Sequence, residues 1–338
     1  MKRNKFLLTG FHFPHHSENS GYDQLRNYLQ ADYIDAGTFP FFRYPFGTNP
    51  KRLNMLLFDL FLKYKVPQYS LVHHLYPENH LIYSVATHRK TKVVTTLHLP
   101  VQDFFEKPPE NSKDIFLKER RKKVFSRVDS IIVLSSEEKA NVQAIFPKVP
   151  VSFIPHGVNN FQSFFTPISS METFNVCTIG YNFRDLTLYE QVVRKALNMY
   201  PNWCFHLIGV YKQWKDRFEN LPNVIIYPYL SEQEYLTLLA KCHVNFLPLT
   251  KATANNVLME AHSVGTLSLV SYLPAIEDYR LQHTFLFKNF QEAFVTLENI
   301  SNFEVVQLNQ LKASLLQESS KFHWENIAQN ILSLYSSL

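Results

Sequence analysis

The chain has 338 residues, more than twice the usual size of one domain, so two domains are expected. Hydrophobic residues make up 46% and aromatics 15%, enough apolar surface to offset chain entropy, which excludes an intrinsically disordered chain. A net charge of +5 tolerates anionic ligands but does not by itself imply nucleic acid.

Taken in order, the apolar run Phe6 to Leu8 is too short for a secretory h-region, and no small-residue cleavage site follows it. No window reaches the roughly 20 apolar residues that a membrane span needs. Cys177, Cys204 and Cys242 are widely spaced and form no CxxC pair, which reads as reduced thiols in a cytoplasmic protein. Lys5 to Thr9, Ser70 to His73, Lys92 to Thr96 and Ser130 to Leu134 read as buried strands. Gly21 to Leu29, Pro50 to Lys63 and Ile115 to Ser126 between them read as helices. Asn159 to Thr173 has the polar, aromatic composition of a connector. A second series follows: strands at Phe174 to Ile179, Cys204 to Ile208, Val224 to Tyr227, His243 to Leu247 and Leu267 to Val270. Tyr189 to Met199, Glu232 to Lys241 and Asn256 to Val264 are its helices, and Trp324 to Leu338 is a last one. Strand-helix alternation means crossover units, hence two parallel sheets with a cleft between them. The expected domains are 1–165, with 322–338 packing back on it, and 166–321.

In open α/β sheets ligands bind beyond the carboxyl ends of the strands, so residues just after strands matter most. Ser20 is a candidate N-cap whose helix would face an anion, and Gly21 would let the backbone approach a phosphate. His98 follows the strand ending at Thr96, where a loop histidine satisfied by backbone is the plainer reading. Gly180 to Asp185 follows the first strand of the second series, and Arg184 there matches phosphate geometry, against a local pair with Asp185. The most specific stretch is Leu247 to Ala261. Its helix starts near Asn255, and its N-terminus favours a diphosphate. Val257, Ala261 and Val264 form the buried face, while Asn256 and Glu260 share the other. Glu260 would accept hydrogen bonds from sugar hydroxyls; the plainer reading is a solvated glutamate. The basic run Lys118 to Lys123 reads as a solvated helix face that could touch anionic lipid or an acidic acceptor. No DxD-type carboxylate pair offers a metal clamp, and the adjacent histidines His15-His16 and His73-His74 would point to opposite faces of a strand.

Together these segments resemble retaining glycosyltransferases of family 4, with the GT-B fold: two Rossmann-like parallel-sheet domains facing a cleft. The resemblance rests on Ser20-Gly21-Tyr22, Thr96-Leu97-His98 and Ile154 to Val158 in the first domain. In the second it rests on Gly180 with Arg184-Asp185, on Asn223-Val224 through Tyr229-Leu230-Ser231, and on Thr253 to Asn256 through Glu260-Ala261, with Gly265 and Leu273-Pro274. Phe322 to Glu325 resembles the family's final segment, whose last helix crosses back to the first domain. The resemblance implies that Glu260 binds the donor ribose, and that Asn255 and Asn256 face the diphosphate or donor sugar. It implies that Arg184 neutralises the leaving nucleotide diphosphate, that Tyr229 and Leu230 border the base, that His98 touches a sugar hydroxyl, and that Gly21 lies under the diphosphate. The implied co-substrate is a nucleotide-sugar, with no metal, and the acceptor a glycan or lipid-linked hydroxyl, in the cytoplasm or at the inner membrane face. Two positions depart from the family pattern. Lys251-Ala252-Thr253 carries no acid where the family commonly has one; and no clear lysine follows Arg184, so Lys251 is a candidate for that missing cation. That departure keeps two alternatives: a decayed scaffold that binds a nucleotide-sugar without transfer, and a sugar-nucleotide epimerase on the same fold.

Overall fold

A computed structural model describes residues 5–13, 18–36, 51–80, 90–106, 108, 112–210 and 212–338. The His15-His16 pair lies outside these residues. The chain divides into two compact units. One holds the described residues of Met1–His16 and Ser20–His156 with Trp324–Leu338; the other holds Gly157–His323 with the described part of Ser17–Asn19. The division falls after His156, ahead of 165, because the connector's first residues bond within the second unit. Val158 N donates to Phe322 O at 2.9 Å, and Phe161 N to Ser263 Oγ at 2.9 Å.

In the first unit, β1 (Phe6–Gly10), β2 (Ala31–Asp35), β3 (Leu71–His74), β4 (Lys92–Leu97), β5 (Ser130–Val133) and β6 (Val151–Phe153) form one sheet. Its order is β2-β1-β3-β4-β5-β6, and every pairing is parallel. Strands covered on both faces need continuous apolar runs. β3 and β5 are buried throughout, and β4 is buried after Lys92. Leu7, Val72, Val93 and Ile131 make the middle of the core, with Phe105 and Phe125 above them. The edge strand β2, with sequence Ala-Asp-Tyr-Ile-Asp, carries no such run and was not anticipated. The Gly21 to Leu29 stretch is a 3-10 helix over Tyr22–Asn27, not an α-helix.

In the second unit, β7 (Phe174–Ile179), β8 (Trp203–Ile208), β9 (Val224–Tyr227), β10 (Val244–Leu247), β11 (Leu267–Ser271) and β12 (Thr284–Phe287) form the other sheet. Its order is β12-β11-β10-β7-β8-β9, again parallel. This is the doubly wound order, whose direction of winding reverses between β7 and β10. In the first sheet the reversal falls between β1 and β3. The core holds Trp203, Phe205, Phe246 and Tyr189, and Trp203 stacks on Tyr200 at 4.8 Å. Beyond the expected elements lie β12 and the helices Phe290–Ser301 and Val305–Ser319. Lys312, on the second of these, is fully buried. Its Nζ donates to Ala240 O at 2.8 Å, placing a cation at the C-terminal end of the Glu232–Lys241 helix.

The last helix, Trp324–Ser336, belongs to the first unit. Trp324 is 1% exposed, with ring centroids 5.3 Å from both Tyr22 and His156. The Tyr335 hydroxyl meets His73 Nδ1 at 2.6 Å.

Gly265 closes the Asn256–Ser263 helix. Its φ is +75°, its N–H bonds His262 O at 3.0 Å, and Thr266 N bonds Ala261 O at 2.7 Å, the paired bonds of a Schellman cap. A Cβ here would lie 2.8 Å from Phe165 Cδ2 and 3.0 Å from Lys312 O. Gly265→Ala therefore combines left-handed strain with a backbone clash. It should lower stability by about 1–3 kcal/mol, read as a lower urea midpoint without loss of circular-dichroism signal before unfolding.

Candidate active site

The second unit's site is built where β7 and β10 end side by side. Two loops leave these strands and are stitched together. Asp185 N donates to Pro248 O at 2.7 Å, Thr250 N donates to Phe183 O at 2.8 Å, and Arg184 and Leu249 form an antiparallel bridge. Gly180, at φ +72°, opens the first loop. The second loop runs through buried Thr253 to Asn255, whose side chain accepts from Leu258 N at 3.0 Å and caps the Asn256–Ser263 helix. Asp185 is not paired with Arg184; it caps the Leu186–Met199 helix by accepting from Leu188 N at 2.9 Å.

Arg184 does not project freely from its turn. Its Nη1 donates to Asn182 O and its Nη2 to Ile179 O, both at 2.8 Å. Nε is buried without a hydrogen-bond partner. Burial lowers the guanidinium to about 10, so it stays charged at neutral pH. Glu260 is 5% exposed, not solvated, and its Oε2 accepts from the Tyr235 hydroxyl at 2.6 Å. The helix that carries Glu260 is buried from Leu258 to Ser263, so the expected polar face is covered as well. Tyr235 lies on the Glu232–Lys241 helix, which begins with a capping box of Ser231 and Glu234. Burial, then the Glu260 charge, holds the Tyr235 hydroxyl well above the phenolic range, and the Arg184 charge acts against them. Glu260 is thus held by Tyr235, on whose hydroxyl the Arg184 charge also acts, a residue the sequence pattern does not single out. Only its buried helical spacing marks it, as for any core tyrosine.

The other expected residues separate. Lys251 Nζ lies over the Phe183 ring at 4.6 Å, on the stitched loops. Asn256 is half-buried in the first helical turn. Tyr229 is 84% exposed, and Leu230 packs on the second core.

In the first unit, Ser20 does not cap a helix. Gly21, at φ 102°, occupies the cap position with no side-chain hydrogen bond. The His98 ring stacks on Tyr76 at 4.5 Å and meets the edge of Tyr22 at 4.9 Å, and its Nε2 lies 2.7 Å from Leu75 O. Backbone therefore engages one ring nitrogen, as the plainer reading expected. Glu78 fixes the same strand end: Oε1 accepts from His98 N and, at 3.1 Å, from Leu99 N. Burial pushes Glu78 up to about 7, and its Oε2 has no hydrogen-bond partner. Deeper in, Thr96 Oγ1 links the Tyr22 hydroxyl at 3.3 Å to His73 Nε2 at 2.7 Å. His74 turns to the opposite face and meets Thr9 Oγ1 at 2.8 Å. Among the described residues, no three His, Cys, Asp or Glu gather so as to hold a metal ion.

The basic run is less solvated than expected. Arg121 lies over the Phe104 ring at 4.7 Å, while Glu119 and Lys123 remain exposed. Arg120, Lys122 and Lys123 line a surface groove of about 680 Å³ with Ile145 and Phe146.

Two doubly wound parallel sheets define the GT-B class of glycosyltransferase fold. Solved structures share it. Sucrose-phosphate synthase from Thermosynechococcus elongatus aligns over 99% of both chains, at 15% identity and a TM-score of 0.74. The E. coli trehalose-6-phosphate structure bound with UDP-2-fluoro glucose aligns over 97% of this chain and 98% of that one, at 10% identity and 0.69. S. aureus TarM in complex with UDP aligns over 83% of this chain and 59% of that one, at 13% identity and 0.64. None of the curated proteins matches the sequence significantly. Residues 13–160 match the model of Glycosyltransferase Family 4.

Two outcomes are expected here. Tyr235→Phe removes the donor to Glu260 Oε2 and keeps the packing. It should weaken nucleoside diphosphate binding roughly 5- to 10-fold by calorimetry, a neutral hydrogen bond being worth about 1 kcal/mol. Glu78 sits above its ordinary 4.5, so the folded chain keeps a proton that the unfolded chain releases. Its stabilisation is full below 4.5 and is lost as pH rises through about 7, a swing on the order of 3 kcal/mol. Urea midpoints should fall between pH 5 and 8, and Glu78→Gln should flatten that fall.

Proposed function

We propose that the chain transfers a hexosyl group from a nucleotide-sugar to a hydroxyl acceptor with retention, and that the donor is held where β7 and β10 diverge. The observation that carries this reading is the stitched pair of loops that holds Arg184 beside the Asn255-capped helix, on which Glu260 accepts from Tyr235. A departing nucleotide diphosphate needs positive charge where its own negative charge develops. Arg184 supplies a guanidinium, and the Asn255-capped helix supplies backbone N–H groups at its positive end. No metal is needed in this scheme, because both sources of positive charge are built into the chain. Glu260 receives the ribose hydroxyls, with Tyr235 fixing its carboxylate. Asn256, Thr253, Gly180 and Lys251 border the diphosphate and sugar, and Tyr229 and Leu230 border the base. His98 is kept as a sugar-hydroxyl contact, Gly21 as a backbone approach to phosphate, and a glycan or lipid-linked alcohol as the acceptor. The free thiols Cys177 and Cys242, both buried, fit a reducing cytoplasm.

One observation favours a second reading, nucleotide-sugar binding without transfer: Lys251-Ala252-Thr253 holds no acid beside the helix start. Purified protein separates the two. A thermal-shift screen over UDP-, GDP- and ADP-sugars identifies the donor, since a ligand bound only by the folded state raises the melting point. With that donor, Arg184→Ala should cut nucleotide release about 10²- to 10³-fold, as expected for loss of one charge-stabilising group. Glu260→Ala should raise the donor KM. Tight binding with no release from the wild type would establish the binding-only reading.

A further inference from the structure

The loop after β7 carries a strained residue to which the donor site gives no task. Among the described residues two non-glycines hold a left-handed backbone, Phe183 at φ +56° and Asn223 at φ +54°. Asparagine tolerates that conformation, because its short polar side chain bonds locally, whereas a bulky phenylalanine crowds its own carbonyl. The ring gains little burial in return, since Phe183 stays 48% exposed. Such strain persists only where neighbouring contacts enforce it, and it gathers at functional sites. Here the enforcing bond runs from Thr250 N to Phe183 O at 2.8 Å, and the Arg184–Leu249 bridge follows it. Thr250 directly precedes Lys251, whose Nζ lies over the Phe183 ring, 4.6 Å from its centroid.

The pairing has a physical consequence. A lysine stem on a loop wanders over many rotamers, and ordering it on binding costs affinity. An aromatic face attracts the ammonium without neutralising it, as a carboxylate partner would. Arg184, next to the ring in sequence, gives both terminal nitrogens to carbonyls of its own loop, Asn182 O and Ile179 O. Its charge reaches a ligand mainly through the field. Lys251 and the ring beneath it both meet solvent, on the loops that leave β7 and β10, the reversal point of the second sheet.

We propose that Phe183 is a positioning residue, whose ring holds the Lys251 ammonium in place as the outer cation for the phosphates of a nucleoside diphosphate. The inference rests on the transferase reading and gives a task to a residue outside it. Phe183 acts through Lys251: the strained backbone presents the ring, and the ring fixes a flexible charge before the ligand arrives.

Calorimetry of the full chain with UDP, GDP and ADP tests this in a double-substitution cycle. For the diphosphate that the wild type binds most tightly, Lys251→Met should weaken affinity roughly 10-fold, as for loss of a hydrogen bond between charged groups. Phe183→Asn suits the left-handed backbone and removes the ring; it should weaken affinity roughly 2- to 5-fold, the range of an exposed cation–π contact. Phe183→Tyr keeps a ring and should stay within about 2-fold of the wild type. In the Lys251→Met background, Phe183→Asn should change nothing further, because the ring acts only through the ammonium. An affinity unaltered by Phe183→Asn, or reduced equally with and without the lysine, overturns the positioning role and leaves the transferase reading standing. The full coupling in a protein that never releases sugar from its donor does the reverse. A wild type that binds none of the three diphosphates overturns both.

Discussion

The stitching of the loop after β7 to the loop after β10 is the constraint on which the second unit's chemistry depends. Parallel neighbours end on the same side of a sheet, but their loops are free to diverge. Here Asp185 N to Pro248 O and Thr250 N to Phe183 O hold them in register, and the Arg184–Leu249 bridge lies between those bonds. Both loops then feed helices capped by their own side chains, Asp185 and Asn255. A guanidinium and a helix N-terminus are thereby fixed before any ligand arrives, which is what electrostatic preorganisation requires.

Burial of these groups is compensated unevenly. Arg184 gives two N–H groups to carbonyls and leaves Nε without one, while Glu260 receives a phenol. Lys312 shows the structural counterpart. Its ammonium is lowered to about 8 by burial, yet it is tied to Ala240 O and has no exposed surface. Buried charge alone therefore does not mark a functional group in this chain. What separates Arg184 from Lys312 is position at the sheet's reversal point and an unpaired polar atom.

Much of this was legible in the sequence where physical signals are local. Buried strands such as Val93-Val94-Thr95-Thr96 declare themselves by continuous apolar or β-branched character, and Asn255 by its place before an apolar helix. The reversal of winding follows from alternation but its location does not, because strand order is set by long-range pairing. β2 was missed since an edge strand is wetted and needs no apolar run. Ser20 was misjudged because glycine at 21, with φ 102°, can enter a short 3-10 turn without a side-chain cap. Tyr235 carries no sequence signal, as it gains meaning only from Glu260 on another helix.

The placement of the Trp324–Ser336 helix bears on biosynthesis. Tyr22 and His73 find their partners Trp324 and Tyr335 only after the whole of Gly157–His323 has been translated. The unit translated first is thus the one finished last, whereas Gly157–His323 can close as soon as it has emerged. A nascent chain must shield a half-dressed sheet throughout that interval, and a message cut short before the Trp324–Ser336 helix would yield one sound unit and one left open to proteolysis.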